Sequence, residues 1–315
     1  MALPSSGSIS LNQMHIEVGG SSGSQVSLND SDIRGLIGKA SGAQMSFSEW
    51  YGASARVAIN LTISSSTNNY NIVSNRGGTY SAGNTDVTLT INSGVTVGST
   101  NVFTPSLNTG SNWTSGDTIT IVNNGTIKGR GGDGGDGGSA VYASYANAGD
   151  AGSVGGRAVR AQFATTFTNN GSVYGGGGGG GGGGSVYNNY KGNAGTGAGG
   201  GGGGGAGVNG GSGASGGTAT GPNGGTASNG SPGTATAGGA GGAGGNLASQ
   251  ANGGAGGGLG SNGADGIGAF PILTGAPYAN NVGGTGGLAG FYEYSSKSNI
   301  NGGAGISGTV GGRST

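Results

Sequence analysis

Hydrophobic and polar residues alternate strictly in three stretches, Val57-Ala58-Ile59-Asn60-Leu61-Thr62-Ile63, Val87-Thr88-Leu89-Thr90-Ile91 and Thr118-Ile119-Thr120-Ile121-Val122. A period of two predicts half-buried β-strands. Shorter alternations come before residue 54. Ile9-Ser10-Leu11-Asn12 with Ile16 recurs as Val26-Ser27-Leu28-Asn29 with Ile33, and more loosely as Met45-Ser46-Phe47-Ser48 with Trp50. Each copy offers Asn or Ser as the N-cap of a short helical turn, which predicts three strand-plus-turn units. So small a module buries little alone, so it is expected to wrap against a partner or a copy of itself. The competing reading is a small cap that folds independently.

A second repeat overlays the strands: Asn92-Ser93-Gly94-Val95-Thr96-Val97-Gly98, Asn123-Asn124-Gly125-Thr126-Ile127-Lys128-Gly129 and Asn169-Asn170-Gly171-Ser172-Val173-Tyr174-Gly175. Asn-Gly between alternating apolar residues signals a hairpin. The same pattern also turns the corner of a stacked β-coil, and both readings stand. The third copy runs straight into ten consecutive glycines, Gly175–Gly184.

Beyond residue 130 the alternation gives way to glycine. The chain of 315 residues has 86 glycines, and only 16 precede residue 129. With six prolines and consecutive glycines, the collagen pattern of one glycine in three does not apply. A bare backbone run is ordered only when its own N–H and C=O groups pair with neighbouring segments. Polyglycine II provides this: a left-handed helix rising about 3.1 Å per residue with every peptide group free to bond sideways, so ten residues span roughly 31 Å. Glycine-dense segments at 175–184, 195–217, 238–245, 253–258, 283–290 and 302–312 are expected to pack as a sandwich with loops at its ends. The predicted fold is mostly β plus polyglycine II helices. It divides into an N-terminal strand-turn repeat module for attachment (1–54), a β-rich platform or shaft (55–130) and a glycine-rich sandwich for receptor binding (131–315).

Composition limits the chemistry. Eleven basic and eleven acidic residues cancel without a basic cluster, which argues against nucleic acid. There is no cysteine, no leader with an apolar core and no run of eighteen apolar residues, so a soluble chain without classical secretion or membrane insertion is expected. His15 is the only histidine and Asp265 and Glu293 the only carboxylates after residue 151, which leaves little for acid–base or glycosidase catalysis. Gly131-Gly132-Asp133-Gly134-Gly135-Asp136-Gly137 faintly resembles a calcium-binding β-roll repeat but supplies too few ligands, and Gly-x-Gly-x-x-Gly matches are inevitable here. No cofactor or metal is expected. Aromatic and charged residues collect instead in three loops, 185–191, 270–278 and 291–297. Tyrosine suits recognition because it offers a rigid apolar face with a hydrogen-bonding tip. The competing role for these aromatics is to cap the sandwich and exclude water.

The run Ile121-Val122-Asn123-Asn124-Gly125-Thr126-Ile127-Lys128-Gly129-Arg130-Gly131-Gly132, followed by Asn169-Asn170-Gly171-Ser172-Val173-Tyr174, the decaglycine and the loop Tyr187–Lys191, resembles the tail-fibre tip adhesins of T-even-like bacteriophages from about Thr118 onward. The resemblance implies a polyglycine II sandwich whose variable distal loops bind an outer-membrane protein or lipopolysaccharide of the host. It puts Tyr187, Asn188, Asn189, Tyr190 and Lys191 at the first variable loop. Phe270, Tyr278, Phe291, Tyr292, Tyr294 and Lys297 are assigned to receptor binding by composition. Residues 28–39 with 45–52 are similar to a short module of many phage tail proteins, which implies docking onto a tail, baseplate or fibre protein. In the first hundred or so residues this module takes the place of the family's own fibre-binding domain. The expected protein is a non-enzymatic adhesin of the virion tail, made in the host cytoplasm. The alternatives are a glycine-rich structural or ice-binding protein resembling springtail antifreeze proteins, and a depolymerase.

Overall fold

The computed structural model describes residues 3–188, 195–246, 248, 250–269, 278–280, 282–293 and 299–314. The chain forms two compact units. One comprises Met1–Ile59, Arg76–Val87 and Trp113–Thr118, and the other comprises Asn60–Asn75, Thr88–Asn112 and Ile119–Thr315.

In the first unit the three repeats become helical turns: α1 (Leu11–Glu17), α2 (Ser31–Gly35) and a 3-10 turn (Phe47–Trp50). The caps sit one or two residues from the expected Asn12, Asn29 and Ser48. Ser10 and Ser46 form reciprocal capping boxes with Gln13 and Glu49, and Asp30 precedes α2. The expected strands do not form among the described residues before 57. Their apolar residues Ile9, Leu11, Val26, Leu28 and Met45 pack instead on a core of Leu3, Met14, Ile33 and Trp50, and the intervening backbone has no ladder partner. The buried Trp50 indole donates to the Ile33 carbonyl at 3.1 Å. In the same unit Arg56 pairs with Asp86 at 2.7 Å and donates to the Thr85 and Gly116 carbonyls.

The β-strands wind as a coil of three sheets. Its first turn is β1 (Val57–Ile63), β2 (Thr67–Asn68) and β3 (Tyr70–Asn71), and its second is β4 (Thr85–Ile91), β5 (Thr96–Gly98) and β6 (Leu107–Asn108). The third opens with β7 (Thr118–Asn123) and β8 (Thr126–Lys128), passes through a hairpin of β9 (Ala140–Val141) and β10 (Tyr145–Ala146), and closes with β11 (Val159–Arg160). The fourth opens with β12 (Thr165–Asn169) and β13 (Ser172–Tyr174). Before it closes, the chain visits β14 (Val186–Asn188), β15 (Gly195–Ala198), β16 (Ala219–Thr220), β17 (Gly245–Asn246) and β18 (Tyr278–Asn280). β19 (Phe291–Glu293) closes that turn, and β20 (Thr309–Gly311) with β21 (Arg313–Ser314) adds a last one. The sheets run β1-β4-β7-β12, β2-β5-β8-β13-β20 and β3-β6-β11-β19-β21. The second and third sheets are parallel throughout.

This settles the role of the Asn-Gly repeats, which turn corners of the coil and close no hairpin. At successive corners Asn123 donates to the Asn169 side-chain oxygen at 2.8 Å and Asn170 to that of Asn124 at 3.0 Å, an asparagine ladder. A Cβ on Gly171 would overlap the Gly125 carbonyl below it, so the turns stack only with glycine there. Inside, Val97, Ile127 and Val173 are fully buried and stand in register.

Both glycine-rich insertions leave from one corner, between the second and third sheets. The corner is a single residue, Asn69, in the first turn and Gly312 in the last, and it widens to Ser99–Ser106 in the second. In the third and fourth turns it opens into residues 129–158 and 175–290, the glycine-rich segments. Coil and glycine segments therefore interleave along the sequence. Residues 302–312, expected among the glycine segments, belong to the coil as a 3-10 turn at Asn301–Gly303 and β20.

Within 175–184 no strand forms, yet the run is buried and its amides follow a period of three. Gly176, Gly179 and Gly182 donate to Gly156, Ser153 and Asp150; Gly177, Gly180 and Gly183 to Ala206, Gly203 and Gly200; Gly178, Gly181 and Gly184 to Ser261, Ala264 and Ile267. The run's carbonyls accept from three further segments, through Gly132, Gly135 and Gly138, through Gly284, Gly287 and Gly290, and through Gly254 and Gly257. Six neighbours thus surround it. The stretch 199–207 is enclosed likewise, donating to 132–138, 228–234 and 251–257 and accepting from 177–183, 211–217 and 239–242. These two enclosed stretches hold the long uninterrupted glycine runs, 175–184 and 199–205. A Cβ on Gly179 or Gly202 would overlap the carbonyl of Asp133 or Gly180.

Rim segments instead keep glycine at every third position and carry side chains between, as in the Gly-Gly-x of 131–138 and the Gly-x-x of 149–156, with a side chain of each triplet at the surface. That side chain often caps a neighbour's outward N–H. Asp133 and Asp136 accept from Ser212 and Ser215, Asp265 from Gly286, and Asn262 from Ala289, all at 2.7–2.9 Å. Among the described residues no helix is long and apolar enough to cross a membrane.

Candidate functional site

The antiparallel registers of the glycine segments fix where the chain turns back. Segments 131–138, 175–184, 210–217, 238–245 and 261–267 run away from the coil, and 149–156, 199–207, 226–234, 251–258 and 282–290 run towards it. Every outward segment therefore turns at one distal end, through residues 139–148, 185–198, 218–226, 246–250 and 268–281. Two small sheets knit these turns together, β10-β9-β16 and β17-β15-β14-β18. β14 pairs antiparallel with both β15 and β18, which brings 186–188 and 278–280 side by side.

Tyr187 is half-buried in β14, Asn188 ends that strand and Tyr278 begins β18. The ladder pairs Asn188 with Tyr278. Asn189, Tyr190, Lys191, Phe270, Tyr294 and Lys297 lie outside the described residues. Phe291 and Tyr292 are elsewhere: they form β19 in the coil, at the opposite end of the 282–290 segment from the distal turns. Among the described residues the structure therefore brings Asn188 and Tyr278 together and separates Phe291 and Tyr292 from them.

Tyr142, Tyr145, Asn147 and Asn223 also stand at the distal end, with Tyr145 exposed. The glycine at every third position stops at Gly138 and resumes at Gly149, and that interruption marks Tyr142 and Tyr145 as tip residues in the sequence. The described distal turns hold no Asp, Glu, Lys, Arg or His; they present Tyr, Asn, Ser and Thr with small apolar residues. Charges lie lower on the glycine segments. Arg130 pairs with Asp133 at 3.0 Å. Burial pushes the Asp133 carboxyl up, but the Arg130 hydrogen bond and the Ser212 N–H outweigh it and hold the group below the usual carboxylate range.

Two carboxylates considered for glycoside cleavage do not meet. Asp265 is exposed and accepts from Gly286, whereas Glu293 is buried in β19 and accepts from the Ile306 N–H. Seven extended residues separate 286 from 293, about 20 Å at about 3 Å each, beyond the roughly 5–10 Å of a glycosidase pair. Among the described residues no group of three or more His, Cys, Asp or Glu is placed to hold a metal.

A hydrogen-bonded scaffold whose segments all turn back at one end, through turns that carry Tyr, Asn, Ser and Thr, defines a class, a protein that presents loops for recognition. The family model for the phage tail fibre adhesin Gp38 matches residues 58–315, and the chain belongs to that family. It is a receptor-binding adhesin of the phage tail fibre, carried on the virion tail. The match begins about sixty residues before the point where the resemblance becomes legible in the sequence, so the coil is part of the family's span and does not replace it. Among solved structures the chain is similar to the gp37–gp38 adhesin tip complex of the bacteriophage S16 long tail fiber, with 20% identity, coverage of 90% of this chain and 91% of that one, and a TM-score of 0.45. No curated protein matches it.

Proposed function

We propose that the glycine segments are polyglycine II helices packed as a sandwich, and that this sandwich holds the distal turns rigid so that they can grip a bacterial outer-membrane protein or lipopolysaccharide without catalysis. Residues 1–54 serve as the attachment module, docking the adhesin on a fibre, tail or baseplate protein; Ile16, Phe47 and Tyr51 are large apolar side chains exposed on it. One observation carries the reading: every outward glycine segment turns back at the same end. Amide bonding with a period of three supports the helix type, since a threefold helix without internal hydrogen bonds presents its peptide groups to successive neighbours in that rhythm.

The test replaces 189–194 and, separately, 270–277 with glycine-serine segments of equal length and measures adherence of the full chain to intact bacteria. Purified outer-membrane protein and lipopolysaccharide serve as competitors. The expected result is adherence lost or redirected with an unchanged thermal midpoint, and competition by one of the two components. Unchanged adherence in both variants overturns the distal site. Thermal hysteresis in ice-growth measurements would favour the ice-binding reading, and sugar release from surface polysaccharide a depolymerase.

A further inference from the structure

At the coil end of the glycine segments, far from the distal turns, Val102, Phe103, Val154, Arg157, Phe291 and Arg313 line a groove of about 180 Å³. The groove is built where two excursions of one coil corner, the 99–106 loop and residues 154–157, meet the coil strands β19 and β21.

Phe103 is the most exposed large apolar side chain described, at 78%. Its loop is nonetheless constrained. The buried Ser99 hydroxyl lies 2.6 Å from both the Asn101 and the Thr104 carbonyls, and the Asn101 side chain accepts from the Phe103 N–H at 2.8 Å. Asn209 also donates to the Ser99 carbonyl at 3.0 Å. The phenyl ring is therefore held in solvent by a structured loop, which forgoes the stabilisation that burying it would give. Val154 beside it is 45% exposed.

The groove is positively charged. The Arg313 guanidinium stacks on the Phe291 ring at 4.2 Å and donates to the Ala289 carbonyl at 2.5 Å. Burial, and then the like charge of Arg157, lower its basicity, which marks the two guanidiniums as neighbours. Among the described residues that line the groove there is no carboxylate.

We propose that this groove is a docking site for a protein segment in which a carboxylate stands beside a large apolar side chain, the apolar group packing on Phe103 and Val154 and the carboxylate meeting Arg157 and Arg313. Planar guanidinium suits paired hydrogen bonding to a carboxylate, and an apolar surround strengthens that contact. The site is separate from the receptor-binding tip, so it can be filled while the tip is engaged.

The test uses the full chain and a fluorescent, end-blocked peptide alternating aspartate and phenylalanine, followed by anisotropy, with an asparagine-phenylalanine peptide as control. The expected result is at least tenfold tighter binding of the acidic peptide, lost in Phe103→Ser with an unchanged thermal midpoint, and weakened at least tenfold in Arg157→Gln. Three results overturn the proposal: equal affinity for the two peptides, binding unaffected by Phe103→Ser, or no binding to either. Sedimentation showing a dimer that Phe103→Ser dissociates would replace the acidic segment with a second copy as occupant. Adherence to cells by the Phe103→Ser variant should match the parent, which separates this groove from the distal tip.

Discussion

The coil and the glycine segments solve the same problem, stacking extended chain, by opposite means. In the coil, Val97, Ile127 and Val173 lie buried one above another, and each such burial contributes about 1.5–3 kcal/mol. In the glycine segments there is no side chain to bury. Each peptide hydrogen bond nets about 0.5–1.5 kcal/mol against about 1–2 kcal/mol for fixing a backbone. Glycine runs alone therefore sit near zero. What tips the balance is anchoring, because the excursions begin and end on coil strands at one corner and their outward ends are knitted by small sheets. Side chains supply the cohesion of the coil and the endpoints of the lattice. Backbone packing then supplies rigidity at a density that admits no Cβ in the enclosed runs.

The sharpest way to break that comparison is one methyl group. Gly179→Ala places a Cβ against the Asp133 carbonyl, and all six sides of the run are occupied, so no neighbour can yield. A loss above about 4 kcal/mol is expected, the range reserved for severe core disruption. Gly258→Ala is the matched control, since nothing lies within 4 Å of its added Cβ and its φ is not positive. That variant should be neutral or gain up to about 1 kcal/mol from a less flexible unfolded chain. Thermal melts of both variants decide the point, and similar midpoints would refute the enclosed-run account.

The coil should respond in graded fashion where the lattice is all-or-none. Ile127 is fully buried, so Ile127→Val should cost about 0.5–1.5 kcal/mol and Ile127→Ala about 2–5 kcal/mol. Denaturant melts measure both. A smaller step is expected at the lattice edge, where Asn262 satisfies the N–H of the buried Ala289 at 2.7 Å. Asn262→Ala should cost about 1–3 kcal/mol by orphaning that donor, and Asn262→Asp should retain most of the stability at neutral pH. Hydrogen exchange at Ala289 reports the loss locally.

How much of this was legible in the sequence follows from element length. The alternating stretches at 57–63, 87–91 and 118–122 became β1, β4 and β7 because five or more residues show a period of two. Strands such as Leu107–Asn108 and Val159–Arg160 have two residues and pair across some fifty positions, so no local pattern can reveal them. Without them the third sheet was invisible, and Phe291 read as a loop residue when it belongs to β19. The decaglycine is conspicuous, whereas the rim's signal is only a glycine at every third residue among other side chains, a period that collagen shares. That period, in 131–138 and 149–156, marks two more segments and the Tyr142–Tyr145 turn between them. The N-terminal repeats showed their helical turns and misled about strands, because apolar alternation also serves residues that simply pack on Met14, Ile33 and Trp50.

The smallest predicted effect is a titration at the lattice edge. Asp133 is held below the usual carboxylate range: burial opposes this, and the Arg130 and Ser212 hydrogen bonds outweigh it. A depressed pKa means that the folded chain binds fewer protons than the unfolded one, whose aspartates titrate near pH about 3.9. The contribution is therefore fully present above that pH and lost as pH falls through the folded value. Asp133→Asn keeps an acceptor for Ser212 but cannot ionise. The parent should melt slightly higher than this variant at neutral pH, and the gap should close in acid. The side chain is 44% exposed, so the gap should stay small and shrink further in high salt. A gap that persists unchanged at low pH would mean that the carboxylate matters here for its shape as a cap and not for its charge, which would bring the lattice edge under the same backbone-satisfying rule as the uncharged Asn262.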